Sequence, residues 1–393
     1  MHNFFKSSQL SQNLQKNFKF DGNIAKINPI LRKNVSILKN NENCNVLVSS
    51  FDFEKTKKIF EKLNLNYSPY PFANCFCVEV KLNDLARLSQ EKTIKYIDPC
   101  VKVFAEQKQQ DSVNLTNLTE NTFCGQEQTI CFIDTGIFPH FDFVFPVNRI
   151  IKFVDFVNQS PTPYDDNGHG TFVAGIACGS GCLSKTNIGF APKANIVALK
   201  ALGENGSSDS NLILDAMQWV YENHKKYKIS VVCMSFGADI INNNDPLSRG
   251  AEALWKRGIV VVAAAGNSGP EPGTIKSPGN NPHIITVGGF DENKMEIADF
   301  SSRGPTIFGY KPDLVAPAVD VVACSNVEPY TTMSGTSVAT PIIAGICADL
   351  KSKYPSIKNT QIKQFIMANC QPLTGNKNNE GAGVLKFQPL DSV

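Results

Sequence analysis

Short apolar runs alternate with longer helix-like segments between residues 129 and 369. The runs have the length and composition of buried strands, and the segments between them are long enough to be helices. Strands and helices that alternate in this way form a mostly parallel sheet with helices on both faces. The alternation therefore predicts an α/β domain. The predicted strands are 129–133, 196–201, 230–235, 259–264 and 284–288. The predicted helices are 170–178, 210–225, 248–257, 337–352 and 359–369.

Residues 44–105 have a different pattern, typical of a small α+β domain. The predicted elements are a strand at 45–48, a helix at 53–63, two short strands within 70–80, a helix at 82–90 capped by Asn83, and a strand at 93–104. The order β-α-β-β-α-β predicts a ferredoxin-like fold. Residues 1–43 are polar and predict an extension without a packed core.

Composition excludes several classes of function. Among 393 residues, 19% are charged and the net charge is +2, which gives no indication of a nucleic-acid or membrane partner. There is no apolar run of ~20 residues for a membrane span and no apolar core of ~7–15 residues near Met1 for a secretory signal.

The twelve cysteines include three in apolar runs (Cys131, Cys233, Cys347). A chain this large does not need disulfides, so we predict reduced thiols and a cytoplasmic protein.

Ser337 is a candidate nucleophile. It lies between a turn that begins at Gly335 and the apolar run 341–350. A serine hydroxyl becomes nucleophilic only when a base accepts its proton. At the start of a helix its backbone N–H also points outward, where it can stabilise a negatively charged oxygen.

His169 and Asp134 are the candidate base and carboxylate. His169 has a glycine on each side, which leaves its imidazole accessible to a partner. Asp134 ends the predicted strand 129–133, and functional groups of parallel sheets lie at the carboxyl ends of strands. Taken singly, Asp134 is equally consistent with a turn cap, His169 with a structural histidine and Ser337 with a helix cap. The chain has only five histidines, so the three motifs together favour catalysis.

Asn267 follows the buried-strand pattern that ends at Gly266. Its side-chain amide is a candidate second donor to a negatively charged oxygen. The alternative is an ordinary turn asparagine.

The order Asp134, His169, Asn267, Ser337 resembles that of the subtilisin-like serine proteases (subtilases, peptidase family S8). The chain order Asp–His–Ser and an oxyanion-hole asparagine are known features of subtilisin, so here they are implied by the resemblance. It covers residues 126–383 and implies a three-layer α/β fold for a peptidase domain at 126–393. It also implies that Ser337 is the nucleophile, His169 the base and Asp134 its orienting partner, and that Asn267 and the Ser337 N–H form the oxyanion hole.

The resemblance further implies a cleft for an extended peptide. Segments 202–208 and 234–237 would pair with the peptide as a third strand. The implied substrate-binding residues are Gly206, Ser207, Ser235, Phe236 and Gly237, with Ala264, Ala265 and Gly266 lining the pocket for the side chain before the cut. Lys276 falls near the floor of that pocket, where a cation would favour an acidic side chain or narrow the space. The alternative is that its stem lies on the wall and its ammonium reaches water.

Residues 44–105 resemble the propeptide of this family, an intramolecular inhibitor whose last strand enters the active site. The resemblance places self-cleavage near Phe104, Ala105 and Glu106, with 106–125 as the linker and new N-terminus. The alternative is a permanent regulatory domain that is never cut.

Three departures from the family pattern stand out. Phe172 replaces a common histidine outside the triad, and Val338 replaces a methionine. The segment 179–192 is shorter than the family's calcium loop and offers Asn187 but no carboxylate, although Asp142 stands where a ligand would. Calcium is therefore possible but not predicted, and the chemistry requires no cofactor.

We therefore predict a self-processing serine endopeptidase zymogen of the AprX-type intracellular branch. Its partners would be extended protein segments and its own propeptide. One alternative is a latent, non-catalytic member that keeps its propeptide as a binding module. A second is an esterase, which the strand-binding segments disfavour.

Overall fold

The computed structural model describes residues 22–35, 43–107, 124–240, 242 and 245–385. The chain divides into two compact units, Met1–Cys100 and Val101–Val393. Much of the predicted extension 1–43 and most of the predicted linker 106–125 lie outside the described residues.

The first unit contains a four-stranded antiparallel sheet in the order β2-β3-β1-β4. Together with two helices its strands follow the β-α-β-β-α-β order of a ferredoxin-like fold. Its core comprises apolar side chains from both layers, among them Val48, Phe60 and Phe76. The elements are α1 (Pro29–Val35), β1 (Cys44–Ser50), α2 (Phe53–Lys62), β2 (Tyr67–Tyr70), β3 (Cys75–Val80), α3 (Leu82–Gln90) and β4 (Ile94–Pro99), with 3₁₀ turns at Ile24–Lys26 and Pro71–Ala73.

Two details predicted for this region are wrong. Helix α3 is capped at Lys81 rather than Asn83, because the Asp84 carboxylate accepts a hydrogen bond from the Lys81 N–H at 3.0 Å. The predicted strand 93–104 is two strands. The first, β4, ends at Pro99, which lacks the N–H needed to continue a ladder. The second, β5 (Lys102–Ala105), belongs to the second unit and to a different sheet.

The second unit is built on a ten-stranded sheet. Its strands are β6 (Thr129–Asp134), β7 (Ile150–Asp155), β8 (Asn195–Lys200), β10 (Ile229–Met234), β12 (Val260–Ala264), β13 (Ile285–Asp291), β14 (Glu296–Ile297), β15 (Leu314–Pro317), β18 (Cys370–Gln371) and β19 (Val384–Leu385). The remaining strands form smaller sheets and are β9 (Ser207–Asp209), β11 (Phe236–Ala238), β16 (Val321–Cys324) and β17 (Tyr330–Met333). The helices are α4 (Phe141–Val144), α5 (His169–Cys178), α6 (Ser210–Asn223), α7 (Pro246–Lys256), α8 (Thr336–Lys353), α9 (Asn359–Ala368) and α10 (Lys377–Glu380).

The large sheet runs β18-β19-β15-β13-β12-β10-β6-β8-β7, with β14 paired to β13. All its pairings are parallel except those of β14 and β18. The predicted α/β architecture is thus confirmed, and the five predicted strands agree with the observed ones within about three residues at each end. Strand β7 was missed because Lys152 interrupts its apolar pattern and Ile151 faces outward.

The central strands and helices α5 and α8 place the candidate residues. Asp134 is the last residue of β6, His169 the first of α5 and Ser337 the second of α8. Both helices are almost wholly buried, because their small and apolar side chains allow close packing. The start of each helix is therefore held rigidly.

None of the described helices is long and apolar enough to cross a membrane. All twelve cysteines lie in the described residues and none forms a disulfide.

Candidate active site

Asp134 and His169 form a buried pair. The Nδ1 atom of His169 lies 2.7 Å from Asp134 Oδ1, and both side chains are almost inaccessible to water. The Thr135 N–H donates to the same carboxylate oxygen at 2.7 Å. The carboxylate thus fixes the ring through Nδ1, while Nε2 is buried and has no hydrogen-bond partner. A neutral imidazole held in this way presents Nε2 as a proton acceptor.

The pKa of His169 is raised above its ordinary value. Burial by itself lowers the pKa, but the negative charge of Asp134 and its hydrogen bond outweigh burial. The charge of Asp165 and that of Glu106 act in the same upward direction. A positive charge on the His169 ring is therefore stabilised at this position.

Asp165 organises the turn that carries His169, a role that the sequence analysis missed. Its carboxylate accepts hydrogen bonds from the Thr135 hydroxyl at 2.9 Å, the Gly168 N–H at 2.8 Å and the Thr171 hydroxyl at 2.7 Å. These bonds join the end of β6 to the first turn of α5. In the sequence, the only indication of this role was that Asp165 lies four residues before His169.

Lys200 is a second residue that the sequence analysis missed. Its side chain is fully buried, and Nζ donates to the Thr135 carbonyl at 2.5 Å and the Leu202 carbonyl at 3.1 Å. It also forms an ion pair of 2.6 Å with Asp166. Lys200 thus ties β8 to the residues after Asp134 and to those before His169.

Ser337 contacts a carbonyl of its own chain. The Ser337 hydroxyl donates a short hydrogen bond to the Glu106 carbonyl oxygen, and the Ser337 N–H approaches the same oxygen at 3.3 Å. The two residues are 231 positions apart in sequence. The serine hydroxyl in this structure is thus bonded to the Glu106 carbonyl oxygen and not to His169 Nε2.

Asn267 lies beside the same carbonyl. Its Oδ1 accepts from the Thr336 N–H at 2.9 Å and from the Thr336 hydroxyl at 3.0 Å, whereas its Nδ2 is buried without a hydrogen-bond partner. A Cβ placed on Gly335 would lie 2.2 Å from the Glu106 oxygen and 3.1 Å from Asn267 Nδ2. The Asn267 NH₂ group and the Glu106 carbonyl oxygen therefore both lie next to Gly335. A side chain at position 335 would fill the space between them.

Strand β5 occupies a slot between two strands of the second unit. It pairs antiparallel with β9 on one side and with β11 on the other. Phe104 stands opposite both Ser207 and Gly237, and Ala105 stands opposite Phe236. The pairing continues beyond the strand, because the Ala105 N–H donates to the Gly206 carbonyl at 2.8 Å and the Glu106 N–H to the Ser235 carbonyl at 3.3 Å. The five predicted edge residues thus all border this strand.

The Glu106 side chain enters a pocket next to the serine. The residue is only 8% exposed. Its Oε2 accepts from the Asn267 N–H at 2.8 Å, and a Cβ on Gly237 would lie 2.5 Å from Oε1. Burial raises the pKa of this carboxyl group, and the Asn267 hydrogen bond and the Lys276 charge oppose that rise.

Lys276 forms part of the pocket wall. A Cβ on Gly237 would lie 2.8 Å from the Lys276 Cβ, and one on Gly266 would lie 2.4 Å from its Cγ. The Lys276 ammonium pairs with Asp239 at 2.5 Å, and the Asp239 side chain is 81% exposed. The stem therefore fills space left by two glycines while the charge lies toward the pocket mouth. Ala264 and Ala265 are fully buried directly before Gly266, and the Lys276 N–H donates to the Ala265 carbonyl at 2.9 Å.

Asp142 is surrounded by hydrogen-bond donors. Its carboxylate accepts from the Gly181 N–H at 3.2 Å, the Leu183 N–H at 3.3 Å, the Tyr330 hydroxyl at 2.9 Å and the Cys324 thiol at 3.6 Å. Calcium requires a shell of six to eight oxygen ligands. The groups around Asp142 are donors instead, so this carboxylate does not fit a calcium site.

Comparison with known proteins gives one consistent match. Residues 125–384 match the subtilase family, Peptidase S8. Serine protease AprX of Bacillus subtilis is 40% identical over 274 residues, which cover 62% of this chain and 61% of AprX. Subtilisin Savinase of Lederbergia lenta is 34% identical over 265 residues, 67% of this chain and 90% of Savinase. The Thermostable alkaline protease of Halalkalibacterium halodurans is 30% identical over 292 residues, 73% of this chain and 75% of that protein.

Proposed function

This chain belongs to the subtilase family, and from that premise we propose that it is a serine endopeptidase with Ser337 as nucleophile, His169 as general base and Asp134 as the group that orients His169. Relatives named as serine or alkaline proteases support the activity. The buried Asp134–His169 pair and the placement of Ser337 at the start of α8 support the roles. The chain spans about 61% of the length of AprX, the first of these relatives.

The proposed reaction begins when Ser337 Oγ attacks the carbonyl carbon of a peptide bond. Its proton passes to His169 Nε2, which requires the hydroxyl to rotate away from the carbonyl oxygen. The protonated histidine then donates that proton to the leaving nitrogen as the C–N bond breaks. A water molecule, deprotonated by the same Nε2, attacks the acyl-enzyme ester; the C–Oγ bond breaks, and the protonated histidine returns the proton to Ser337 Oγ as the acid leaves.

Asn267 and the Ser337 N–H would stabilise the oxygen that becomes negatively charged during attack. The buried Asn267 Nδ2 without a partner supports this role, because such a group costs free energy unless it serves a ligand or a transition state. The carbonyl contact of the Ser337 N–H supports the second donor.

One observation supports the proposal most strongly: a peptide carbonyl of this chain lies on Ser337, and the preceding strand is held between β9 and β11. We infer that the Glu106–Gln107 bond is the self-cleavage site of a zymogen. Residues 44–105 would then act as a propeptide, and Gln107 would become the new N-terminus.

Retention of the uncut strand is the competing form of the same protein. With β5 in the slot the cleft is filled, so an uncleaved chain would be latent. This latent form would have the same fold but no catalytic turnover. It differs from the active form only in the intact Glu106–Gln107 peptide bond.

Substrates would be extended, unfolded or loop segments of proteins, because the slot binds backbone by strand pairing. A reducing compartment such as the cytoplasm is proposed from the twelve unbridged cysteines.

The test combines intact mass with active-site labelling. We expect the purified wild-type chain to be cut after Glu106 and to react with a fluorophosphonate. The Ser337→Ala variant should remain whole and unlabelled. If the wild type remains whole yet is labelled, self-processing and occupation of the cleft by β5 are both wrong, and the peptidase proposal stands. If it remains whole and unlabelled, it is the latent form. If it is cut after Glu106 but is neither labelled nor active on casein, the peptidase proposal itself fails.

A further inference from the structure

The pocket that holds Glu106 offers a hydrogen-bond donor and is narrowed by a lysine stem. Its wall contains the backbone N–H of Asn267, which donates to the Glu106 carboxylate at 2.8 Å. The stem of Lys276 fills the space beside Gly237 and Gly266. An aromatic ring in the same position would lose this hydrogen bond and would have to displace the lysine stem.

Besides a protonated His169, Lys276 is the cation that acts on the Glu106 carboxylate. Its positive charge lowers the carboxyl pKa in opposition to burial, although its own hydrogen-bonding partner is Asp239. The side chain of Lys276 is 21% exposed because its stem is packed in the wall, while its ammonium pairs with the exposed Asp239. Asp239 is exposed and holds the ammonium at the pocket mouth without filling the pocket.

We propose that this pocket accepts glutamate or glutamine before the scissile bond and that Lys276 is the specificity-determining residue that offsets the burial of an ionised carboxylate there. The proposal rests on the proposed peptidase function and adds a substrate class to it. The Asn267 N–H accommodates the shape of a glutamate or glutamine side chain, since either offers an oxygen acceptor. The lysine charge distinguishes the two, since only glutamate is negative.

The experiment expresses the full-length chain and assays the enzyme that its self-cleavage produces. Three peptide substrates differ only in the residue before the cut, which is Glu, Gln or Phe. At pH 7.5 we expect the wild type to prefer both Glu and Gln over Phe in kcat/KM by roughly tenfold or more. Lys276→Met keeps the apolar stem and removes the charge. It should lower the Glu-to-Gln ratio of kcat/KM by roughly five- to tenfold.

Lys256→Met is the matched control. Lys256 lies at the end of α7 and pairs with Glu252 at 2.6 Å, with 71% of its side chain exposed. Its loss removes an equal charge and an equal ion pair from the surface, so the Glu-to-Gln ratio should stay at the wild-type value.

Two results would overturn the specificity proposal. One is a wild type that cleaves the Phe peptide at least as well as the Glu peptide. The other is a Glu-to-Gln ratio that Lys276→Met leaves unchanged. Fluorophosphonate labelling of the same samples separates these results from failure of the peptidase proposal, in which the wild type neither reacts with the label nor cleaves any of the three peptides. Lys276→Arg, which keeps the charge, should retain more of the ratio than Lys276→Met.

Discussion

Asn267 uses the two ends of one amide for different purposes. Its oxygen accepts from both the N–H and the hydroxyl of Thr336, which fixes the orientation of the side chain at the start of α8. The orientation leaves the NH₂ group facing the Glu106 carbonyl side of Gly335, buried and without a partner. A single residue therefore anchors the turn before Ser337 and keeps its free NH₂ group near the Glu106 carbonyl, as the proposed oxyanion role requires.

Asn267→Ala should reduce kcat by about 10²–10³ with a much smaller change in KM, a magnitude established on a subtilisin rather than derived from this chain. The donor is needed most when the oxygen is negative, so the loss falls on turnover. Steady-state kinetics on one peptide checks this, with circular dichroism as the control for folding. A fall below fivefold in a folded variant would show that Asn267 is not an oxyanion donor.

The Glu106 carboxyl group gives a pH prediction with a definite sign. Burial raises its pKa above the ordinary value of 4.5, while Asn267 and Lys276 oppose the rise and Asp239 adds to it. The pocket therefore prefers the protonated form, and this preference is complete below 4.5 and is lost as the pH rises through the raised pKa.

In kinetic terms, the ratio of kcat/KM for the Glu peptide to that for the Gln peptide should fall as the pH rises from 4.5 and then become constant. Measurement of the two peptides in the same buffers checks the prediction. A ratio that increases with pH would show that ionic attraction, rather than burial, dominates the pocket.

At the scale of elements, the decisive feature is the separation of β5 from β4. The two strands are only two residues apart, yet β4 pairs with β1 and β5 pairs with β9 and β11. Backbone hydrogen bonds hold β5, so almost any sequence of suitable shape could occupy the slot. Specificity is then expected from the side chains of this segment that are buried, Val103 and Glu106.

Ala105→Pro should slow self-cleavage by roughly tenfold or more, because proline removes the N–H that donates to the Gly206 carbonyl at 2.8 Å. The time course of the intact and cut masses after expression checks it. Ala105→Gly keeps the N–H and should process within about threefold of the wild-type rate. Equal rates for the proline and wild-type chains would contradict strand pairing as the way in which the cleavage site is held.

At the scale of the whole molecule, most cysteines of the described chain are buried as free thiols and none forms a disulfide. Seven of the twelve unbridged cysteines are buried, namely Cys75, Cys77, Cys131, Cys178, Cys233, Cys324 and Cys347. Burial raises the pKa of Cys178 to about 12, so its thiol stays protonated at physiological pH. Such thiols behave as small apolar side chains and react slowly.

Reductant should therefore leave the stability of the Ser337→Ala chain unchanged. A native disulfide contributes roughly 2–5 kcal/mol, which would appear as a loss of several degrees in Tm on reduction. We expect the same Tm with and without dithiothreitol, and twelve thiols on titration of the unfolded chain. A lower Tm in dithiothreitol, together with fewer titratable thiols, would reveal a disulfide.

The sequence by itself determined the α/β architecture and the family, because strand and helix periodicities and the turns around Asp134, His169, Asn267 and Ser337 are local. Such patterns can be read within a short window of sequence, without knowledge of which distant residues they contact. Only the tertiary structure decided that Glu106 lies on Ser337, that Asp165 and Lys200 support the His169 turn, and that Lys276 pairs with Asp239. These contacts join residues far apart in sequence or on different elements. No periodicity encodes them, since they depend on how the packed strands and loops meet in space.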